Sequence, residues 1–175
     1  MLDLRALYLV GLAMSAAPAA AVELDELVPA QNGAAACWSR LYDAAHLKAH
    51  PDQQVEEIGF AISYAAETAE YAPQYSFQIE ARMRNGDVGH NSGPCSESEG
   101  NVQCGVECDG GYVMVEPRDN GGVLLDLETS GYIWLSGGCG VDDVDEGFAL
   151  ESGKDDKQFL LRLMSAGTCK PGLLN

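Results

Sequence analysis

Three cysteines, Cys95, Cys104 and Cys108, stand close together ahead of a glycine pair and an alternating segment that ends at Pro117. The rest of the chain supplies three more, at Cys37, Cys139 and Cys169. Clustered cysteines are typical of two kinds of small scaffold, one held by disulfides and the other by zinc. Both kinds fix loops to one another, so this stretch constrains the fold strongly.

The first residues have the order of a secretory signal peptide. A charged start, Met1–Arg5, precedes an apolar run, Ala6–Met14, and small residues then offer cleavage after Ala19 or Ala21. The apolar run is far shorter than the ~20 residues of a membrane-spanning helix. We therefore predict a signal peptide at 1–21 and a periplasmic or secreted mature protein that does not insert into a membrane.

Export favours disulfides over zinc for the six cysteines. Cys104 and Cys108 form the only close pair in the sequence, and no second close pair matches it as in many structural zinc sites. Domain termini often lie near each other, which favours a bond between the outermost cysteines, and Cys95 and Cys104 bracket a polar loop. The predicted pairs are Cys37 with Cys169, Cys95 with Cys104, and Cys108 with Cys139.

The mature chain divides into a predicted linker or loose arm at 22–36 and a single all-β domain at 37–175. Within the domain, Tyr75–Arg84 alternates apolar and polar residues without a fault, which is the pattern of a half-buried antiparallel strand. Asn85 and Gly86 follow it, and both tolerate the positive φ of a tight turn.

Other short apolar or alternating runs lie between turn residues and predict further strands. We expect one helical turn at Ala44–Lys48, a long polar loop at Asp87–Gln103, a meander of three strands from Tyr112 to Ser136, and a final hairpin. The predicted strands are Cys37–Asp43, Ile58–Tyr64, Tyr75–Arg84, Tyr112–Glu116, Val123–Glu128, Tyr132–Ser136, Phe148–Glu151 and Gln158–Met164. Roughly seven to nine short strands predict an antiparallel small β-barrel or sandwich braced by disulfides, and closure without exposed edges favours the barrel.

The formal net charge of −17 limits the classes of partner. So acidic a chain repels phosphate backbones and anionic membranes, which disfavours nucleic-acid binding. A basic protein or a cation is electrostatically suitable, although acidity also serves solubility alone.

Two groups of residues have the composition of metal sites. Asp43, His46 and His50 have helical spacing and the ligand types of zinc or copper, or they form a surface turn with local hydrogen bonds. The acidic glycine-rich loop 140–147 has carboxylates that could bind calcium, or it is a solvated loop. Its candidate ligands are Asp142, Asp143 and Asp145.

Enzyme signatures are scarce in the chain. No Gly-x-Ser-x-Gly elbow, phosphate-binding loop or dinucleotide fingerprint occurs, and no cofactor is predicted. His90 and Asp87 lie near each other in a predicted loop, where an acid–base pair is conceivable. Aromatic residues along the strands either fill the core or line a ligand cavity. They are Trp38, Tyr42, Phe60, Tyr64, Tyr75, Phe77, Tyr112, Tyr132 and Trp134.

Two phrases, Tyr42–Gln53 and Cys104–Gly111, resemble those of small exported cysteine-containing proteins of alphaproteobacteria, a group that brings no activity or site residues. Ser130, Gly131 and Tyr132 are similar to part of the loop that periplasmic lysozyme inhibitors insert into a basic enzyme, but the Tyr further on in that pattern is missing. That similarity implies a disulfide-bearing β-barrel that binds through this loop.

Together these features predict a non-enzymatic binding or interaction module. The alternatives are a lipocalin-like carrier of a small apolar ligand and a metal-dependent enzyme.

Overall fold

A computed structural model describes residues 23–98, 100–135, 148–153 and 155–165. The strands within these residues are β1 (Ala35–Leu41), β2 (Val55–Ala65), β3 (Gln74–Met83), β4 (Val88–Ser98), β5 (Asn101–Gly105), β6 (Tyr112–Arg118), β7 (Gly122–Asp126), β8 (Tyr132–Trp134), β9 (Ala149–Glu151) and β10 (Gln158–Leu163). Eight of them close into an antiparallel barrel in the order β1-β10-β7-β6-β5-β4-β3-β2, and β8 and β9 form a separate two-stranded ribbon. Two short helices, α1 (Leu24–Leu27) and α2 (Ala44–Ala49), and a 3₁₀ turn (Asp119–Gly121) complete the described part.

The predicted all-β fold is confirmed, and the barrel is the correct one of the two predicted architectures. The alternation of β3 decides which residues face inward. Phe77, Ile79 and Ala81 are at most 1% exposed, whereas the residues between them lie on the outer face. The turn that follows is the one predicted at Asn85 and Gly86, where Gly86 has a φ of 95°.

Large apolar side chains from neighbouring strands fill the barrel. Trp38 on β1 contacts Phe60 on β2 with ring centroids 6.2 Å apart, and Phe60 contacts Phe77 at 5.7 Å. The indole N–H of Trp38 donates to the carbonyl oxygen of Gly121 at 2.8 Å, which satisfies the one polar group of that side chain. Each of the three rings is at most 2% exposed. These rings therefore pack as a core and do not line an open pocket.

The segment 87–103, which the sequence predicted to be a long loop, instead forms β4 and β5. The prediction was wrong because the inward positions of β4 are not apolar: Gly89, Asn91 and Gly93 alternate there with the outer-face residues. A side chain at Gly89 would meet Cβ of Leu135 at 2.7 Å. Small residues on β4 therefore make room for large residues that enter the barrel from elsewhere.

A disulfide joins Cys95 and Cys104, as predicted. The two cysteines lie directly opposite each other on β4 and β5, so the bond links paired strands and covalently closes the β4–β5 hairpin. Cys37 and Cys108 are also disulfide-bonded. Their predicted partners, Cys169 and Cys139, lie outside the described residues, so those two pairings stay predictions.

The predicted pairing of the last strands was wrong. The ribbon pairs β8 with β9, and β10 lies between β7 and β1, where it closes the barrel. Leu127, directly after β7, is still buried, and Gly131, with a φ of 82°, lies in the turn that leads into β8. Ile133 and Leu150 of the ribbon are at most 1% exposed. The apolar pattern of each strand was correct, but it does not specify a partner.

The segment 22–36, predicted to be a linker or loose arm, packs against the barrel over its described residues. Leu24 and Val28 are at most 4% exposed and belong to the core. The backbone N–H of Leu24 donates to the Glu97 carboxylate at 2.6 Å, and the Tyr75 hydroxyl donates to the carbonyl oxygen of Val28 at 3.1 Å. The sequence prediction missed this because the apolar face of α1 is only about one turn long.

Among the described residues, no helix combines the length and the apolar composition needed to cross a bilayer.

Candidate binding groove

The outer face of β5, β6 and β7 is built by two rows of side chains that lie opposite one another across the strands. In the first row, Met114 on β6 lies between Gln103 on β5 and Asp126 on β7. In the second row, Glu116 on β6 lies opposite Leu124 on β7. These residues face outward because the residues between them on each strand are buried in the barrel.

A groove of about 360 Å³ lies on this face. Two carboxylates line it, from Glu116 and Asp126, and none of the described residues that line it is basic. Because Glu116 lies opposite Leu124, two residues before Asp126, the two carboxylates are diagonal neighbours on adjacent strands. The remaining lining residues are Ser98, Asn101, Gln103, Tyr112, Met114 and Thr129.

Each carboxylate of the groove already has a partner that orients it. Glu116 forms an ion pair with Arg118 at 2.6 Å, in which both side chains are about 40% exposed. Such exposed pairs stabilise by at most ~1 kcal/mol, so this contact competes weakly with an incoming cation. Asp126 accepts the backbone N–H of Glu128 and the side-chain amide of Gln158, both at 2.6 Å. The groove therefore presents two positioned negative charges beside apolar and amide groups.

The structure places Asp43, His46 and His50 around α2. Asp43 is the N-cap, and its carboxylate accepts the His46 backbone N–H at 2.8 Å. The His46 ring lies 4.7 Å from the Tyr42 ring and 4.3 Å from the His50 ring, and its Nε2 is 3.0 Å from Oε1 of Gln53. Capping, stacking and hydrogen bonding thus account for these residues, and their predicted role as zinc or copper ligands stays a prediction.

Over the described ranges, no group of three or more histidine, cysteine, aspartate or glutamate residues is arranged to hold a metal ion. The predicted calcium ligands Asp142, Asp143 and Asp145 lie outside those ranges.

Tyr42 lies two residues before α2, and its ring contacts the His46 ring of that helix. Burial raises the pKa of the Tyr42 hydroxyl to about 12. The charge of Arg40 lowers this pKa slightly, and the charge of Asp156 raises it slightly. The guanidinium of Arg40 lies over the Tyr42 ring, 5.2 Å from its centre, which is a cation–π contact. Tyr42 is therefore neutral at physiological pH and acts as a packing residue.

Ser130, Gly131 and Tyr132 form the turn into β8. The Ser130 hydroxyl lies 2.5 Å from the carbonyl oxygen of Tyr112, to which it donates, and the Tyr132 hydroxyl donates to the carbonyl oxygen of Asp109 at 2.6 Å. Both side chains thus tie the turn to the domain. Their predicted role in inserting into a basic enzyme stays a prediction.

His90 and Asp87 do not lie in a flexible loop as predicted. His90 is exposed on β4, where its cross-strand neighbour is Glu80 on β3. Asp87 accepts a hydrogen bond from the Asn85 side chain at 2.6 Å in the preceding turn. These contacts give the two residues different partners.

The sequence prediction missed Glu116 and Asp126. In a chain with 27 aspartate and glutamate residues, no single carboxylate stands out. The signal that could have found them is the alternation of 112–116, which puts Tyr112, Met114 and Glu116 on one face, together with the register of β6 and β7. That register depends on tertiary packing.

No protein-family model, curated protein or solved structure matches the chain. Function is therefore inferred from the geometry and charge of the groove.

Proposed function

We propose that this protein is an exported, non-enzymatic binding domain whose groove on β5, β6 and β7 takes a basic segment of another protein. The observation that carries the proposal is the pair of outward carboxylates, Glu116 and Asp126, in a groove whose described lining includes no basic residue. A net charge of −17 adds a long-range attraction for basic partners, which raises the rate of encounter.

The groove residues suit the side chains of arginine and lysine. Both have an apolar stem and a charged end, and the stem can pack on apolar groups while the charge stays polar. Met114 and the Tyr112 ring offer such a surface, and the side-chain oxygens of Asn101 and Gln103 can accept hydrogen bonds from a guanidinium or an ammonium. Glu116 already binds a guanidinium, that of Arg118.

Export is part of the proposal. The four described cysteines are all bonded, and disulfides persist in oxidising compartments such as the periplasm and the extracellular space. A basic protein of that compartment is the expected partner.

The direct test measures binding of a fluorescent peptide that repeats Ser-Arg to the purified protein by anisotropy. We expect binding at low salt that weakens strongly near 1 M salt, where the Debye length falls to about 3 Å. The double variant Glu116→Gln/Asp126→Asn should bind the peptide roughly threefold to tenfold more weakly, because two attractive charges are lost from the groove.

The matched control is Glu67→Gln/Glu70→Gln, which removes the same charge from the exposed β2–β3 loop. It should change the affinity much less. Equal losses in both variants would mean that the peptide responds to net charge alone, and the groove would then have no special role. Absence of binding at low salt would also overturn the proposal.

A further inference from the structure

The second row of outward side chains continues from the groove to an apolar surface. Glu116 on β6 lies opposite Leu124 on β7, and Leu124 lies opposite Leu160 on β10. Leu160 is 48% exposed and Leu124 is half-buried, although both belong to regular strands of the barrel. An acidic end and an apolar end therefore lie on one line across three strands, which we call the acidic–apolar line.

The spacing along the acidic–apolar line matches that of an extended peptide. Neighbouring strands lie ~4.8 Å apart, so Leu124 and Leu160 stand ~5 Å and ~10 Å from Glu116, and the gap between the leucines is centred at ~7 Å. Side chains two residues apart in an extended peptide point to the same side and are ~7 Å apart. A peptide that crosses the three strands can therefore place a cation at Glu116 and a second side chain between the leucines.

We propose that the partner segment is extended and has an arginine or lysine separated by one residue from an apolar residue. This inference rests on the proposed function and names the partner that the groove selects. Charge complementarity supplies the occupant of the acidic end, and the exposed leucines supply a site where burial of an apolar side chain is favourable. A second copy of this chain is a poor occupant, because each copy carries a net charge of −17.

The test compares two peptides of equal composition on the purified protein at low salt. One repeats Ser-Arg-Ser-Leu, in which arginine and leucine share a face of the extended chain. The other repeats Ser-Arg-Leu-Ser, in which they point to opposite faces. We expect the first peptide to bind roughly fivefold more tightly, because its leucine is buried between Leu124 and Leu160 while its arginine meets Glu116.

Two variants assign the preference to the acidic–apolar line. Leu160→Ser should abolish the preference between the peptides, and Val88→Ser should keep it, because Val88 is 49% exposed on β4, which β5 separates from β6 and from the line. Both substitutions are at exposed positions, and the unfolding midpoint of each variant confirms that it is folded.

Equal affinity for the two peptides, with binding still dependent on Glu116 and Asp126, would overturn this inference and leave the proposed function intact. A preference that survives in Leu160→Ser would also overturn it. Failure of both peptides to bind through Glu116 and Asp126 would instead overturn the proposed function.

Discussion

Asp156 shows how a single buried side chain holds two distant segments of this protein together. It is 2% exposed, and its carboxylate accepts the backbone N–H groups of Gln54 at 2.6 Å and Val55 at 3.3 Å. The adjacent Asp155 accepts the Asp52 backbone N–H at 3.2 Å. The segment before β10 is thereby tied to the start of β2, and Asp156 is hydrogen-bonded although it is buried.

The ionisation of Asp156 predicts a pH effect on stability. Burial raises the pKa of its carboxyl above the ordinary value of 3.8, the Asp155 charge adds to the rise, and the two backbone hydrogen bonds oppose it. Because the folded state binds this proton more tightly than the unfolded state, the group's contribution to stability is full below pH 3.8 and is lost as pH rises through the folded pKa.

Asp156→Asn removes the titrating group, so the difference in stability between the variant and the parent protein should depend on pH. We expect the free energy of unfolding of the variant, relative to the parent, to rise as pH is raised from below 3.8 towards neutrality. At the low end, where Asp156 is protonated, the variant should be the less stable of the two, because both oxygens of the carboxyl can still accept a backbone N–H, whereas the amide NH2 of asparagine cannot. Urea unfolding across this range measures the difference. A difference that is independent of pH, or that falls as pH rises, would contradict the prediction.

At the scale of elements, β4 is the strand on which the packing of the barrel depends most closely. Gly93 faces inward, and a Cβ there would lie within clash distance of the carbonyl oxygen of Gly105 on the neighbouring strand β5 and 3.1 Å from the Phe77 ring. Backbone cannot move aside as a flexible side chain can. The absence of a side chain at Gly93 thus permits β4 to pass close to β5.

Gly93→Ala should lower the free energy of unfolding by about 1–3 kcal/mol through overpacking. The control is Gly153→Ala in the segment after β9, where the nearest described neighbour of a new Cβ, the Glu151 carbonyl oxygen, lies at an ordinary 3.9 Å. That variant should unfold within about 0.5 kcal/mol of the parent. Equal midpoints for the two variants in urea would show that β4 is not tightly packed.

The same strand marks the limit of sequence-based prediction. β3 was predicted because Phe77, Ile79 and Ala81 alternate with polar residues, and burial of one face requires that alternation. β4 was not, because its inward residues are small and its neighbours fill the space. The groove was not predicted for a related reason: Glu116 and Asp126 become neighbours only through the register of β6 and β7, and many registers satisfy the same apolar pattern.

The net negative charge of this protein opposes the compact folded state. A net charge of −17 produces self-repulsion in the folded state. The described ion pairs that could oppose it include two exposed pairs, Arg118 with Glu116 and Lys157 with Glu128, and exposed pairs contribute little.

Salt should therefore stabilise the protein. We expect the urea midpoint to rise as sodium chloride is added and to level off by about 0.2 M, where the Debye length is below 10 Å and most of the repulsion is screened. The same titration near pH 4.2, the pI of the sequence, should show a much smaller rise because the net charge is then close to zero. A midpoint that falls with salt at neutral pH would mean that attractive surface pairs outweigh the repulsion.

The seam at which β1 pairs with β10 also determines when this chain can fold. β1 (Ala35–Leu41) needs β10 (Gln158–Leu163) as its neighbour, and the two strands lie at opposite ends of the described chain. During synthesis the barrel therefore stays open until β10 has been made. Contacts between such distant segments also form slowly, because a long loop must first close. The export that we propose would then act on a chain whose barrel is still open, which is the state in which a narrow translocation pore can pass it.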